Sequence, residues 1–170
     1  MNVLPYEYSP LSEAKEDGFH LISTDFMTED GVGYQVQFIN VNTWVDVSQF
    51  QDVEIFSFSF ENDLPEGQKV ADPRVPVTIQ QILAEFLGSR NAIIHYTCSN
   101  DGDQKLARER KFKMWYQSAA DSYIMYSYLS DSTNPSGGTM MYFIKPREDE
   151  QRDDGTRTRI EATVEEFGSK

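Results

Sequence analysis

Two aspartates between His95 and Tyr116 could support chemistry in this chain. An apolar segment ends in a short acidic turn that carries Asp101 and Asp103, and a basic, aromatic segment follows it. Carboxylates in such a turn can bind a divalent cation or act as a general acid and base. At the start of a helix the same side chains also act as caps and interact favourably with the helix dipole. We favour this structural interpretation of the turn.

An arginine in the same region falls on an apolar stripe. Helical spacing over residues 104–119 puts Arg108 on the stripe of Phe112 and Trp115, two aromatic residues that must face a core. A cation on an apolar face needs a partner, because an unpaired buried charge is costly. We therefore predict that the Arg108 guanidinium is buried and paired with one of the two aspartates or with a backbone carbonyl.

The region as a whole forms one candidate functional cluster. Its basic residues could hold a phosphate or a single-stranded nucleic acid. They point around the helix rather than along one face, however, and the chain lacks a glycine-rich phosphate loop, so a solvated helix flank is the preferred interpretation. A histidine in an apolar strand is interpreted as structural rather than as a catalytic base. The cluster consists of His95, Asp101, Asp103, Arg108 and Arg110.

No motif for a metal ion or a cofactor occurs, and we predict neither. Cys98 is the single cysteine, which excludes an intrachain disulfide and a cysteine-based zinc cluster. It lies just before the predicted helix start, where a thiolate would be favoured, but the neighbouring carboxylates oppose that ionisation. We therefore interpret Cys98 as structural.

The charge balance of the chain is strongly acidic. Its 170 residues include 28 acidic and 15 basic side chains, which gives a formal net charge of -13. Such a charge repels free nucleic acid and attracts cationic surfaces, but we favour the simpler interpretation that an acidic surface keeps the protein in solution. The sequence shows neither a secretory leader pattern nor an apolar run of about 20 residues, so we predict a cytoplasmic protein that does not contact a membrane.

The first half of the chain has clear strand patterns. We interpret residues 1–18 as an N-terminal arm that docks through its tyrosines, and residues 19–170 as a single domain. A hairpin is predicted over residues 19–38, because Tyr34, Val36 and Phe38 alternate with glutamines after a glycine-bearing turn.

A third strand and a helix follow. Phenylalanines alternate with serines across residues 52–61, and the proline-containing link at 62–77 is interpreted as a loop. Thr78 is predicted to cap a helix that ends at Gly88. We expect the three phenylalanines to face this helix and the serines to lie on the opposite face; they are Phe56, Phe58 and Phe60, with Ser57 and Ser59.

The remaining elements complete an α+β fold. A fourth strand is predicted at 92–98, then the helix at 104–119, a hairpin of strands 123–129 and 139–145, and a last helix at 158–167. The order β-β-β-α-β-α-β-β-α indicates a largely antiparallel sheet with helices packed on one face.

Four motifs between residues 19 and 145 carry a likeness to known proteins. They are Tyr34-Gln-Val-Gln-Phe38, Thr78-Ile-Gln-Gln-Ile-Leu83, the block of Tyr96, Cys98, Asp103, Arg108, Arg110, Phe112, Trp115 and Tyr116, and Asn134-Pro135. Through them the chain resembles a family of small, uncharacterised bacterial proteins with a domain of unknown function. That resemblance implies the α+β fold and a bacterial cytosolic origin. It transfers no catalytic residue, because the family has no assigned activity.

Three classes of function remain open. The favoured one is a non-enzymatic interaction module, antitoxin-like, immunity-like or an accessory factor, that binds a basic protein through the acidic loop 147–154 or the acids flanking Tyr6 and Tyr8. The second is a small hydrolase or nucleic-acid-processing enzyme that uses the two aspartates and two arginines of the cluster. The third is a small-ligand binder that uses the uncovered sheet face. We expect no catalytic activity of the chain's own.

Overall fold

The computed structural model describes residues 3–41, 54–65, 67–68, 71–90, 92–98, 123–129 and 140–146. These residues form seven strands and one helix, a broadly α+β arrangement dominated by sheet. The helices predicted at 104–119 and 158–167 lie outside them, so the full element order and the packing of all helices on one face stay predictions. In chain order the elements are β1 (Ser12–Glu16), β2 (Phe19–Met27), β3 (Gly33–Asn40), β4 (Glu54–Asn62), α1 (Arg74–Gly88), β5 (Ala92–Cys98), β6 (Tyr123–Leu129) and β7 (Met140–Pro146).

The chain divides into two compact units. The first comprises residues 1–40 and 57–90, and the second comprises residues 41–56 and 91–170. Hydrogen-bonded strands follow the order β1-β2-β3 in the first unit, which also contains residues 57–62 of β4. In the second unit, which contains residues 54–56 of β4, β7 lies between β5 and β6. The pairs β1–β2, β2–β3, β5–β7 and β6–β7 are antiparallel. The division into an arm and a single domain stays a prediction.

A strand occupies part of the segment that was interpreted as an N-terminal arm. β1 pairs with β2 in a tight hairpin, in which Glu16 lies opposite Phe19. The two turn residues, Asp17 and Gly18, have φ angles of 44° and 80°. Positive φ at both central positions is typical of the type I′ turn, which the Asp-Gly pair favours because its twist matches that of the flanking strands. All five residues of β1 are exposed, so the strand lacks an apolar alternation.

The hairpin predicted over residues 19–38 is confirmed by β2 and β3. Leu21 lies opposite Ile39, and Met27 lies opposite Gly33. Alternate residues of both strands are buried, as expected of strands with one covered face. The buried residues are Ile22, Thr24 and Phe26 in β2 and Tyr34, Val36 and Phe38 in β3.

Helix α1 begins one turn earlier than predicted. Its first residue is Arg74, so the prediction that Thr78 is the N-cap and that the loop extends to residue 77 was wrong. Pro76 lies in the first turn, where backbone N–H groups have no intrahelical partner and proline is tolerated. The Thr78 hydroxyl instead donates to the carbonyl of Arg74 at 2.7 Å. The helix ends at Gly88 as predicted, and no helix among the described residues is long and apolar enough to cross a membrane.

The aromatic core of the first unit agrees with the predicted register only in part. Phe38 stacks on Phe86 of α1 with ring centroids 3.9 Å apart, and Phe58 packs against Phe38 at 5.6 Å. Phe60, however, is 43% exposed, so its predicted place under the helix was wrong. The last four residues of β4 are all exposed, which shows that the covered part of this strand ends at Phe58. Phe56 is buried but belongs to the second unit, and its predicted contact with the helix stays a prediction.

The second unit contains the strands predicted after the helix. β5 coincides with the predicted strand 92–98, β6 with 123–129, and β7 starts one residue later than expected. Ile94 of β5 lies opposite Ile144 of β7, and Met125 of β6 lies opposite the same residue of β7. Four consecutive residues of β5, 92–95, are buried, so both faces of this strand are covered.

Candidate functional site

Only one member of the predicted cluster lies within the described residues. Asp101, Asp103, Arg108 and Arg110 lie outside them, so the predicted burial and pairing of Arg108 stay predictions. His95 lies in β5 opposite Phe143 and is 6% exposed. Burial lowers the pKa of its imidazole from 6.5 to about 4, because the buried environment disfavours the charged form.

The buried position of His95 limits what this side chain can do. With a pKa near 4 the imidazole is neutral at pH 7. General acid–base catalysis is most efficient when the catalytic pKa lies near the working pH. The structural interpretation of His95 is therefore better supported than a role as a base at neutral pH.

An acidic cleft lies in the first unit, and we regard it as the candidate functional site. It is an open depression of the surface with a volume of about 720 Å³. The ends of β2, β3 and β4 meet there with the N-terminal segment. Its described lining consists of Glu7, Ser9, Asp25, Phe26, Met27, Gly33, Tyr34, Gln35, Glu61, Asn62 and Asp63.

One corner of the cleft is fixed by a close contact between Gly33 and Asp63. The Gly33 N–H donates to Asp63 Oδ1 at 2.9 Å, and the Asp63 N–H donates to the Gly33 carbonyl at 3.0 Å. A Cβ atom at position 33 would lie 2.9 Å from Asp63 Oδ2, closer than real Cβ contacts allow. The absence of a side chain at Gly33 therefore lets the carboxylate sit against the backbone of β3.

The N-terminal segment forms another wall by pairing with the end of β2. Tyr8 makes an antiparallel bridge with Phe26, and the Ser9 N–H donates to the Asp25 carbonyl at 2.9 Å. The Ser9 hydroxyl accepts from the Asp25 N–H at 3.0 Å. The Thr24 hydroxyl in turn donates to the Ser9 carbonyl at 2.5 Å. These bonds join Glu7 and Ser9 to the strand that carries Asp25.

Two tyrosines fasten the same segment to α1 and the residues before it, which confirms the prediction that the N-terminus docks through them. The Tyr6 hydroxyl donates to Asp72 Oδ2 at 2.6 Å, and the Tyr8 hydroxyl donates to Glu85 Oε2 at 2.6 Å. The Tyr6 N–H donates to Thr78 Oγ1 at 2.8 Å. Burial, followed by the hydrogen bond to Glu85, raises the pKa of Tyr8 to about 12, so this phenol stays a donor at neutral pH.

Arg74 adds further contacts to this docking. Its guanidinium carbon lies 3.8 Å from the centroid of the Tyr6 ring, within the range of a cation–π interaction. Its Nε donates to the carbonyl of Leu4 at 2.9 Å, and Nη2 donates to the carbonyl of Pro5 at 3.2 Å. Nη1 forms an ion pair with Glu29 Oε1 at 2.7 Å. The charge of Arg74 is thus engaged outside the cleft.

The basic side chains of Lys15, His20 and Arg90 are also paired with an acid that does not line the cleft. Arg90 Nη2 lies 3.1 Å from Glu13 Oε2, and Lys15 Nζ lies 3.6 Å from Glu13 Oε1. His20 Nε2 lies 2.5 Å from the same Oε1. The hydrogen bond from Arg90 first, and then that from His20, lowers the pKa of Glu13 below its usual value. This cluster joins β1 to β2 and to the residues that follow α1.

The four acids of the cleft have a different electrostatic environment. No ion pair within the described part of the chain reaches any of them, and no basic side chain belongs to the described lining. The apolar side chain that the lining exposes is that of Met27, which is 63% exposed, whereas the rings of Phe26 and Tyr34 stack on each other at 5.1 Å and are buried. Within the part of the chain that the structure describes, no group of three histidine, cysteine, aspartate or glutamate side chains is placed to hold a metal ion. The arrangement suits a ligand that carries positive charge together with apolar surface; the four acids are Glu7, Asp25, Glu61 and Asp63.

Sequence reasoning identified only a fraction of this cleft. The acids flanking Tyr6 and Tyr8 were predicted as one possible partner surface, and Glu7 is the acid between them. Asp25 and Asp63 had no distinguishing local signal, because they come together only through strand pairing. The other predicted partner surface, the loop 147–154, lies outside the described residues.

Comparisons with known proteins give a partial family match. Residues 71–134 match the model of a family of unknown function (DUF6169). The match covers α1, β5 and β6 and includes the predicted cluster, but less than half of the 170 residues. No curated protein and no solved structure matches the chain. The match is consistent with the resemblance to a domain of unknown function, and the proposed motif block within it stays a prediction.

Proposed function

We propose that this chain is a non-enzymatic protein-interaction module that binds a basic protein partner in the acidic cleft. The observation that carries the proposal is the separation of charges in the first unit. Three described cations, Lys15, Arg74 and Arg90, are paired with acids outside the cleft. The four cleft acids have no described cationic partner.

The chemistry of the cleft supports a lysine- or arginine-containing segment as the ligand. Four carboxylates around one concave surface attract cations and repel phosphate groups, which argues against nucleic acid as the ligand. The exposed Met27 supplies apolar surface for the stem of a long basic side chain. The net charge of -13 adds long-range steering of a cationic partner.

The test is binding of a fluorescein-labelled hexalysine peptide, with a serine–glycine peptide of the same length as the ligand control. We expect saturable binding of hexalysine that weakens as salt rises from about 50 to 500 mM, because exposed charges are screened. Asp25→Asn combined with Glu61→Gln removes two charges from the cleft and should weaken binding by about tenfold.

A matched variant separates the cleft from the overall charge. Glu16→Gln combined with Asp30→Asn also removes one glutamate and one aspartate, both exposed and both outside the described lining. We expect this variant to bind within about twofold of the wild type, since it changes only the net charge. Equal weakening in both double variants, or no hexalysine binding at low salt, would contradict the proposed site.

The enzyme alternative depends on residues outside the described part of the chain. It requires Asp101 and Asp103 to act with Arg108 and Arg110. A turnover assay of the purified protein against nucleotides, phosphoesters and peptides, with divalent metals added, tests it independently of the cleft. Metal-dependent hydrolysis that is lost in Asp101→Asn or Asp103→Asn would favour the enzyme over the interaction module.

A further inference from the structure

We infer that the N-terminal segment, residues 4–9, is a fastened wall of the acidic cleft and that its two tyrosines are positioning residues for Glu7. This inference rests on the proposed function. It goes beyond it by coupling partner affinity to the docking of the N-terminus on α1.

The first step of the argument is the alternation of side chains along the segment. Tyr6 and Tyr8 reach Asp72 and Glu85 through their hydroxyl groups, each at 2.6 Å. In an extended chain, neighbouring side chains point to opposite sides. Glu7, between the two tyrosines, is accordingly exposed and lines the cleft.

The second step is that the backbone on both sides of Glu7 is also held. The Tyr6 N–H donates to Thr78 Oγ1, and the Ser9 N–H donates to the Asp25 carbonyl. The Thr78 hydroxyl is itself fixed by its bond to the Arg74 carbonyl at 2.7 Å. A segment fixed at both ends keeps the carboxylate of Glu7 near the acids on the strand ends, without the entropy loss that a free tail would suffer on binding.

Coupling of this kind is reciprocal. If docking of the segment favours the partner, the partner must favour docking to the same extent. Bound hexalysine should therefore slow the hydrogen exchange of the Tyr6 and Ser9 amides. The effect should exceed that on the amide of Val41, which donates to the Ile55 carbonyl in the second unit.

The test is a mutant cycle on hexalysine affinity. Glu7→Gln should weaken binding by about two- to fivefold, the usual range for one exposed ion pair. Tyr6→Phe combined with Tyr8→Phe keeps both rings but removes the hydroxyl bonds to Asp72 and Glu85 and the bond from the Glu29 N–H to the Tyr6 hydroxyl. It should weaken binding by a similar factor. Because the tyrosines act through Glu7, adding Glu7→Gln to this double variant should cause no further loss. The Tyr6 and Ser9 amides should exchange faster in the double variant than in the wild type.

Each outcome has one interpretation. Additive losses in the triple variant, or unchanged affinity in the tyrosine variant, would overturn the positioning role while leaving the proposed function in place. Failure of the wild type to bind hexalysine would overturn the proposed function itself. If the double variant does not fold, Tyr8→Phe alone removes the solvent-exposed anchor to Glu85 and is subject to the same two criteria.

Discussion

The buried His95 should make the stability of this protein depend on pH in the mildly acidic range. Its pKa is lowered by burial from 6.5 to about 4, so the unfolded chain binds the proton more readily than the folded chain. Stability from this group is fully present above pH 6.5 and is lost as pH falls towards 4. The perturbation that tests this is His95→Gln, which replaces the imidazole with a neutral polar side chain.

The size of the effect follows from the two pKa values. The unfolded-state pKa is 6.5 and the folded-state pKa is about 4. When the pH falls below both values, this difference lowers the free energy of unfolding by about 3 kcal/mol in total. Between pH 7 and pH 5 the free energy of unfolding should fall by about 2 kcal/mol from this group alone. Carboxylates contribute equally to the wild type and the variant in this range, so the difference between their pH slopes isolates His95.

The assay is urea unfolding at constant ionic strength at several values of pH between 5 and 7.5. His95→Gln should remove about 2 kcal/mol of the pH dependence, whatever its effect on stability at pH 7. The control is His20→Gln, since His20 is the chain's other histidine. Its imidazole contacts the Glu13 carboxylate in the first unit. In this control variant, the part of the pH dependence of the unfolding free energy that comes from His95 should be unchanged.

Two results would refute the reasoning about His95. One is a His95→Gln variant whose unfolding free energy changes between pH 7 and pH 5 as much as that of the wild type. The other is an NMR titration of the wild-type imidazole with a pKa near 6.5. The NMR measurement also decides the question if the variant does not fold.

Three further predictions concern the first unit. Phe38→Ala should lower the free energy of unfolding by about 3–5 kcal/mol, because its ring stacks on the helix, whereas Phe60→Ala should cost about 1 kcal/mol or less; equal losses in urea unfolding would contradict the observed burial. Gly33→Ala should cost about 1 kcal/mol by displacing the Asp63 carboxylate, and calorimetry should find no such cost in an Asp63→Ala background. Glu13→Gln should destabilise by at most about 1 kcal/mol at pH 7, and by less as the pH falls through the lowered pKa of the Glu13 carboxyl, because this carboxylate stabilises only while it is ionised; a loss that does not shrink on acidification would point to another cause.

Strands with one buried face were predictable from sequence, and an exposed strand was not. The alternation of Tyr34, Val36 and Phe38 has the period of a half-buried strand, and β3 has that register. Every residue of β1 is exposed, so its sequence contains no apolar period. The available signal was the Asp17-Gly18 pair, whose turn type joins adjacent strands irrespective of their polarity.

The helix start was misplaced because two local signals compete. Prolines mark loops, and a threonine followed three residues later by glutamine is typical of a capping box. Both patterns also occur when proline occupies the first turn. Thr78 then lies inside the helix, where it is fully buried and its hydroxyl accepts a hydrogen bond from the Tyr6 N–H. The choice depends on a partner 72 residues away in the chain, which local pattern reasoning does not include.

The candidate site was harder to predict than the fold for the same physical reason. A strand or helix is determined largely by neighbours within a few residues, whereas the cleft joins Glu7 to Asp63 through pairings of several strands. Composition showed the excess of acidic residues but not which of them have a cationic partner among the described residues. The structure makes that distinction. It pairs Glu13 with Lys15 and Arg90, and it pairs Glu29 with Arg74. The functional signal in the described residues is therefore the uneven pairing of acids, rather than their number.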